Sequence, residues 1–343
     1  MWYWRSDHQE PIVAPVSTAN VNPSRRAALG GDVAVGSHVA AGGDVAAGGA
    51  VAPGGRAAGG HVAAALAACA GMAAVGSSFA VLNGLRDYPA AGGQALRYAA
   101  GAMLLAAFAR GRIGRPTARE LVRLALLAAT GLAAFNVLVL AAEDSMDPGS
   151  VGVVVATVPV LLALAGPLQA GRRPQARLVA AGAIVAVGAA TVQGLGGDIS
   201  AQGLAAALGA LACEAAFSLL AAPLIATLGP VGTSAWAAAL AVPMLAILAI
   251  PTGGVPTPTA SQAASLAWLA VVISAAFVLW YSAIRALGVE RTGLFAGVLP
   301  VAALFCAAAL GDSQLTPGRV TGVLAVAAGI AAGLSVGRRA VTA

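Results

Sequence analysis

The sequence predicts an all-α polytopic membrane protein with ten transmembrane helices arranged as a five-plus-five inverted repeat. Three observations support this fold class. Hydrophobic residues make up 59% of the chain and charged residues only 9%, whereas about 25% of a soluble domain is charged. The apolar residues form uncharged runs of about 20 residues, the length that a helix needs to cross a bilayer. Prolines and small residues of the first half recur in the second half at a constant spacing.

Ten apolar runs after residue 60 are each long enough for one span. The predicted spans are 61–83, 88–109, 121–142, 149–170, 178–197, 200–227, 231–251, 264–284, 292–311 and 317–337. Continuous runs such as Gly149 to Ala170 exclude transmembrane β-strands, in which apolar and polar residues alternate. The result is a multi-pass protein whose surroundings are a lipid bilayer.

The domain organisation follows from these spans and from a change in composition at residue 60. Gly, Ala and Val dominate residues 1–60, with few bulky apolar residues. We therefore expect a disordered segment there, either a cytoplasmic tail or sequence upstream of the native start. The predicted domains are this tail (1–60), a first five-helix repeat (61–197), a second, inverted repeat (198–337) and a cytoplasmic C-terminus (338–343).

The positions of the arginines predict the orientation in the membrane. All nineteen basic residues are Arg, and the formal net charge is +6. Twelve of them cluster after spans two, four and eight and at the C-terminus, at positions 110, 112, 115, 119, 123, 172, 173, 177, 285, 291, 338 and 339. Basic loops face the cytoplasm, so we expect an inner (plasma) membrane protein with both termini inside. The arginines indicate lipid contact rather than nucleic-acid binding. Arg86, Arg97 and Arg319 lie toward the outer side, and the last two are close enough to helix ends to snorkel to the interface.

A duplication is visible in the sequence. The matched pairs, each 141 residues apart, are Pro159 with Pro300, Ala181 with Gly322, and Gly188 with Gly329. Because five helices is an odd number, the second copy must enter the membrane upside down. The loop charges agree, since the acidic loop 143–147 corresponds to the basic loop 285–291. Two opposed copies with a substrate site between them, near the bilayer midplane, are typical of transporters.

Short motifs in both halves carry a family resemblance. They are Gly76-Ser77-Ser78-Phe79, Ala95-Leu96-Arg97-Tyr98, Ala156-Thr157-Val158-Pro159-Val160, Trp280-Tyr281-Ser282-Ala283-Ile284-Arg285-Ala286-Leu287-Gly288 and Val298-Leu299-Pro300-Val301. In order, spacing and duplication they resemble the EamA-type members of the drug/metabolite transporter superfamily. The resemblance covers residues 61–337 and implies efflux of amino acids, related metabolites or toxic small molecules through a cavity lined by both halves. Uptake by the same fold is the alternative, and a non-transporting scaffold is a weaker one.

Glu214 is the strongest candidate for a functional side chain. It is the one acidic residue well inside an apolar run, where a carboxylate costs about 2.5–3.5 kcal/mol on insertion scales. We therefore expect it to face protein or a water-filled cavity and to bind a substrate or a proton. The structural alternative is a neutral Glu that is hydrogen-bonded to a neighbour. Ser218, four residues later, lies on the same helix face and is a second candidate, although such a serine often serves only helix packing.

Five further residues are candidates with weaker support. Tyr281 is predicted either to stack on a ligand or to belong to the interfacial aromatic belt. Asn136 and Ser77 place polar groups inside apolar spans, where they bind substrate or fix helix contacts. Pro159 and Pro300 interrupt the helical hydrogen bonds at equivalent depths of the two copies, and they are the candidates for helix breaks or hinges.

Enzyme, metal and cofactor sites are not expected. The three histidines, at positions 8, 38 and 61, lie outside the spans or at a helix edge, and the three cysteines, at 69, 213 and 306, lie in separate spans. These positions offer neither a nucleophile with its base nor a set of metal ligands. Gly329 and Gly333 form a GxxxG pattern, which predicts a close helix contact within the chain or in a homodimer.

Overall fold

The computed structural model describes residues 53–78, 81, 83–194 and 199–335. The predicted tail up to residue 52 and the predicted C-terminal segment lie outside the described residues. Residues 53–60, which were predicted to be disordered with that tail, are instead helical as the start of the helix Pro53–Ser77. All regular structure in the described ranges is helical. Eight segments there are long and apolar enough to span a membrane.

Two further features raise the number of helices from these eight segments to the predicted ten. The longest of the eight segments, Ala201–Thr252, is two helices joined at Gly229, whose φ of 70° and ψ of 169° are not helical. Ala90–Phe108 is a further helix of 19 residues, whose mean hydropathy is lowered by Gln94 and Arg97.

We number the helices in chain order. They are α1 (Pro53–Ser77), α2 (Ala90–Phe108), α3 (Ala118–Glu143), α4 (Pro148–Gln169), α5 (Ala176–Gln193), α6 (201–228), α7 (230–249), α8 (Ala260–Leu287), α9 (Val289–Ala309) and α10 (Pro317–Ser335). Short 3₁₀ turns at Asn83–Leu85 and Ile250–Thr252 lie outside them.

Local sequence explains where several helices begin. A capping box starts α3, in which the Thr117 side chain accepts from the Glu120 backbone while Glu120 accepts from the Thr117 backbone. A second capping box, Thr259 with Gln262, starts α8. Such reciprocal bonds satisfy backbone donors that the first helical turn leaves free. Ser200 caps α6 with a single bond of the same kind.

Three helices are irregular inside the predicted spans. In α3, a π-helical stretch, Ala128–Ala134, separates two α-helical parts. In α4, a turn at residues 156–157 separates Pro148–Val155 from Val158–Gln169, so that Pro159 lies in the first turn after the break. In α9, a 3₁₀ segment, Gly293–Gly297, precedes the helix that contains Pro300. The two prolines therefore follow helix breaks at equivalent places, while the π-helical stretch was not predicted.

Helices α5 and α10 show how the two copies are related. A Cβ atom added to Gly188 would lie 2.7 Å from the carbonyl oxygen of Gly322, and one added to Gly329 would lie 2.9 Å from that of Ala181. Gly188 and Ala181 are the repeat partners of Gly329 and Gly322, so the same contact occurs twice. The two helices are antiparallel, and the contact is self-complementary, as at a two-fold axis. The inverted arrangement of the copies is thus visible in the packing.

The GxxxG pattern of α10 also serves this packing within the chain. Gly329 lies against Val185, and a Cβ at Gly333 would approach the side chains of Leu294 and Leu178. Close approach of this kind needs residues without bulky side chains. The pattern is accounted for within the chain and gives no argument for a homodimer.

Orientation in the membrane remains a prediction. Fusions of a topology reporter at Gly114 and Gly171 are expected to report the cytoplasm, and fusions at Asp147 and Gly254 the outside, because the first two lie in arginine-containing loops. The measurement is the paired activity of a reporter active only inside and one active only outside. A cytoplasmic signal at Gly254 would contradict the ten-span topology.

Candidate functional site

A cavity lies between the two halves of the chain. It has about 570 Å³ of free space, including the part that opens to solvent. Its lining comes from α1, α2, α3, α6, α8 and α9: Met72, Val75, Tyr98, Gly131, Leu132, Phe135, Glu214, Phe217, Ile273, Ala276, Phe277, Trp280 and Leu299. We call it the central cavity.

A second cavity, of about 480 Å³, adjoins the central one and shares Met72, Phe135, Glu214 and Leu299 with it. The rest of its lining comes from α4, α5 and α9: Gly152, Val155, Ala156, Val158, Ala189, Gln193, Ala296 and Pro300. Both helix breaks therefore reach this second cavity. We call it the break cavity.

Glu214 lies on the boundary of the two cavities. Its side chain is half-buried, and it faces the free space of both cavities. It is close enough to Tyr98 and Tyr281 to interact electrostatically with each. Among the described residues that line the two cavities, Glu214 is the single charged side chain. A carboxylate in a membrane span is expected to face protein or a cavity rather than lipid, and the role of Glu214 at this place stays a prediction.

An aromatic cluster forms one wall of the central cavity. The ring centroids of Phe217 and Phe277 are 5.0 Å apart, and those of Phe217 and Tyr281 are 5.2 Å apart. Tyr98 stacks on Phe277 at 6.2 Å. Gly131, in the π-helical stretch, makes room for this wall, because a Cβ there would lie 2.8 Å from the Phe217 side chain. Faces of aromatic rings attract cations as well as apolar groups.

Ser218 positions a wall residue rather than lining a cavity. It is buried, and its hydroxyl accepts a hydrogen bond of 3.1 Å from the indole nitrogen of Trp280. Trp280 in turn lines the central cavity next to Phe277. One turn of α6 thus carries Glu214 at the cavity and, four residues later, the hydroxyl that orients Trp280.

Tyr281 lies behind the aromatic wall, not in the interfacial belt. It is fully buried between Phe217 and Phe277. Its hydroxyl has no hydrogen-bond partner in the described part of the chain. A ligand would contact Phe217 or Phe277 before it reached Tyr281.

Asn136 and Ser77 lie outside the lining of both cavities. The Asn136 amide donates to the carbonyl of Leu132, one turn earlier in α3, and its side chain also reaches the hydroxyl of Tyr98. Ser77 is exposed near the end of α1 and donates to the carbonyl of Ala74 at 3.0 Å. Asn136 therefore supports the wall through Tyr98, whereas Ser77 only caps its own helix.

Arg97 differs from the sequence prediction. Only 4% of it is exposed, so it does not snorkel to an interface. Its guanidinium lies 4.9 Å from the centroid of the Tyr98 ring, a cation-π distance that offsets part of the cost of burial. With Gln94 it lines a smaller cavity of about 280 Å³ between α2 and α8. Tyr98 thus separates this buried cation from the central cavity.

The described residues contain no cluster of three or more His, Cys, Asp or Glu side chains that could hold a metal ion. The chemistry available at the site is the binding of a small molecule by one carboxylate and by apolar and aromatic faces.

Comparison with known proteins identifies this architecture. The model of the EamA-like transporter family matches residues 61–193 and, a second time, residues 201–333. The chain belongs to the EamA-like transporter family. The double match, with the helices described above, confirms the predicted family, the all-α polytopic fold and its two copies.

Two further similarities agree with this assignment. This EamA-like chain is 30% identical over 254 residues to a probable terminal-alkyne amino-acid exporter of Streptantibioticus cattleyicolor, a match covering 72% of this chain and 85% of the relative. A solved crystal structure covers 80% of the chain with a TM-score of 0.69, at 18% identity and over 98% of its own length, which supports the fold alone. The EamA-like chain is a multi-pass membrane transporter.

Proposed function

We propose that this transporter exports small amino acids or related amino compounds across the inner membrane through the central cavity. The observation that carries the proposal is Glu214, a carboxylate that faces an otherwise apolar and aromatic cavity. Such a lining complements an ammonium group attached to an apolar body. The name of the relative from Streptantibioticus cattleyicolor, an amino-acid exporter, supports the same substrate class.

Glu214 is proposed to have a second role as the proton-responsive group of the transport cycle. A carboxylate that faces both cavities can exchange protons when either cavity is hydrated. Pro159 and Pro300 are proposed as hinges, because each follows a helix break and the break cavity is lined by residues of both breaks. In inverted-repeat transporters, discontinuous helices of this kind border the substrate site.

Uptake is the second candidate function. It uses the same cavity, and the direction depends on energetic coupling rather than on the lining residues.

The proposal is tested in cells that overproduce or lack the protein. Overproduction is expected to raise the tolerance of cells to toxic apolar amino acids and to increase their excretion, and loss is expected to do the reverse. The measurement is growth inhibition together with amino-acid analysis of the medium. A variant with Glu214→Ala serves as the inactive control if it reaches the membrane in equal amount. Lower external levels of the same compounds on overproduction would favour uptake.

A further inference from the structure

An ion pair joins the two repeats at one end of the bundle. The Arg172 guanidinium lies 2.6 Å from the Glu290 carboxylate. Arg172 follows α4 of the first repeat, and Glu290 belongs to the first turn of α9 in the second repeat. The Glu290 side chain is 12% exposed and that of Arg172 is 53% exposed. We call this end, with its arginine-containing loops, the basic end.

The backbone beneath this ion pair is tightly packed. A Cβ added to Gly166 of α4 would lie 3.3 Å from the backbone nitrogen of Glu290. Deeper in the bundle, a Cβ added to Gly293 would lie 2.8 Å from Leu162, which is 1% exposed. At the basic end, α4 and α9 therefore leave no passage between them.

The opposite end of the bundle holds the repeat partners of these residues, and they are arranged differently. Gly152 is the partner of Gly293, and Ala303 is the partner of Leu162. The atoms nearest to a Cβ built on Gly152 are those of the Gln193 side chain in α5. Gly152 and Gln193 both line the break cavity. At the basic end α4 packs directly on α9, whereas at this end Gly152 packs on the Gln193 side chain of α5, and the break cavity lies between α4 and the Leu299–Pro300 part of α9.

The charges differ between the ends in the same way. The repeat partners of Glu290 and Arg172 are Gly149 and Ser313, which cannot form an ion pair. Two inverted repeats can exchange their conformations, which closes one end and opens the other. At these repeat-equivalent positions of the described residues, an ion pair joins the repeats at the basic end, and the opposite end has no charged pair in the same places.

We propose that Arg172 and Glu290 form a latch that holds the basic end closed and biases the resting transporter toward the state open at the other end. The inference rests on the proposed transport function, in which the cavity opens alternately to each side. A partly exposed ion pair stabilises modestly, so its loss should shift the ratio of the two states about three- to tenfold rather than abolish one of them.

Two cysteine reporters at repeat-equivalent positions test the latch. Cys69, Cys213 and Cys306 are first replaced by Ala, and Leu162→Cys or Ala303→Cys is then introduced into the full chain in nanodiscs. The rate of alkylation by a polar maleimide is measured without substrate. Breaking the latch with Glu290→Gln should raise the rate at position 162 about three- to tenfold and lower it at position 303. Arg173→Ala, in the same exposed loop, should leave both rates unchanged.

A charge exchange separates the latch from general loosening. Arg172→Glu combined with Glu290→Arg restores an ion pair of opposite polarity and should return both rates toward those of the parent. Equal rates in parent and Glu290→Gln would overturn the proposal, as would a rise at both reporters, which would mean unfolding rather than exchange. Because no substrate is used, a latch can be found even if the chain does not export amino acids, so the two proposals fail independently.

Discussion

Glu214→Gln is expected to abolish the response of transport to an imposed pH gradient while the protein still inserts and folds. Gln has nearly the same size and keeps much of the hydrogen bonding of Glu, but it cannot ionise. The measurement is uptake or release of a labelled apolar amino acid by proteoliposomes with and without a pH gradient. Glu214→Ala should impair transport, because it removes the carboxylate from the cavity, and it should lower stability modestly through the volume it leaves empty.

Asp144→Asn is the matched control for this experiment. Asp144 is exposed at the end of α3, away from the cavity lining, so its variant should keep the full response to the gradient. If Glu214→Gln is driven by the gradient as well as the parent is, Glu214 is a structural residue and coupling depends on another group. A loss of response in both variants would indicate a general effect of removing negative charge.

Gly322→Ala is expected to destabilise the protein by about 1–3 kcal/mol, the typical cost of overpacking. The added methyl group would lie 2.7 Å from the carbonyl oxygen of Gly188 and 3.0 Å from the backbone nitrogen of Val192. Backbone atoms of a packed helix cannot move aside as a flexible side chain can. The measurement is the Tm of the purified protein in detergent, followed by size-exclusion chromatography after heating.

Gly318→Ala, one turn earlier in α10, is the matched control, and it is not expected to lower the Tm. No atom lies within 4 Å of a Cβ built at Gly318, so Ala should be neutral or should stabilise the helix slightly. If Gly322→Ala lowers the Tm no more than Gly318→Ala does, the contact between α5 and α10 is looser than the structure indicates.

The sequence was sufficient to predict the fold because bilayer thickness, loop charge and the 141-residue repeat each restrict it separately. The positions of Pro159 and Pro300 were also informative. A proline inside an apolar run removes a backbone hydrogen bond, so it predicts a kink or a break of the helix nearby. Glu214 could be singled out because a carboxylate within an apolar run has to find polar surroundings.

The aromatic wall could not be predicted in the same way. In a membrane protein, both the lipid-facing and the interior side of a helix are apolar, so hydrophobic periodicity does not show which side faces inward. Phe217 and Phe277 therefore gave no signal of facing inward, although Tyr281 was a candidate for stacking on a ligand. The π-helical stretch in α3 further changes which side chains point inward. Ser77 illustrates the reverse case, because a serine can bond to its own helix and need no other partner.

Gly229 has a mechanical consequence. A single residue connects α6, which carries Glu214, to α7. With no longer loop between them, a movement of one helix is coupled directly to the other. Helix α7 contains Trp236, whose indole donates a 3.0 Å hydrogen bond to the carbonyl of Gly114 in the loop between α2 and α3. A displacement of α6 that moves α7 would change the surroundings of this indole. Trp236 is an intrinsic fluorophore near the start of α7, in the same helix pair as Glu214.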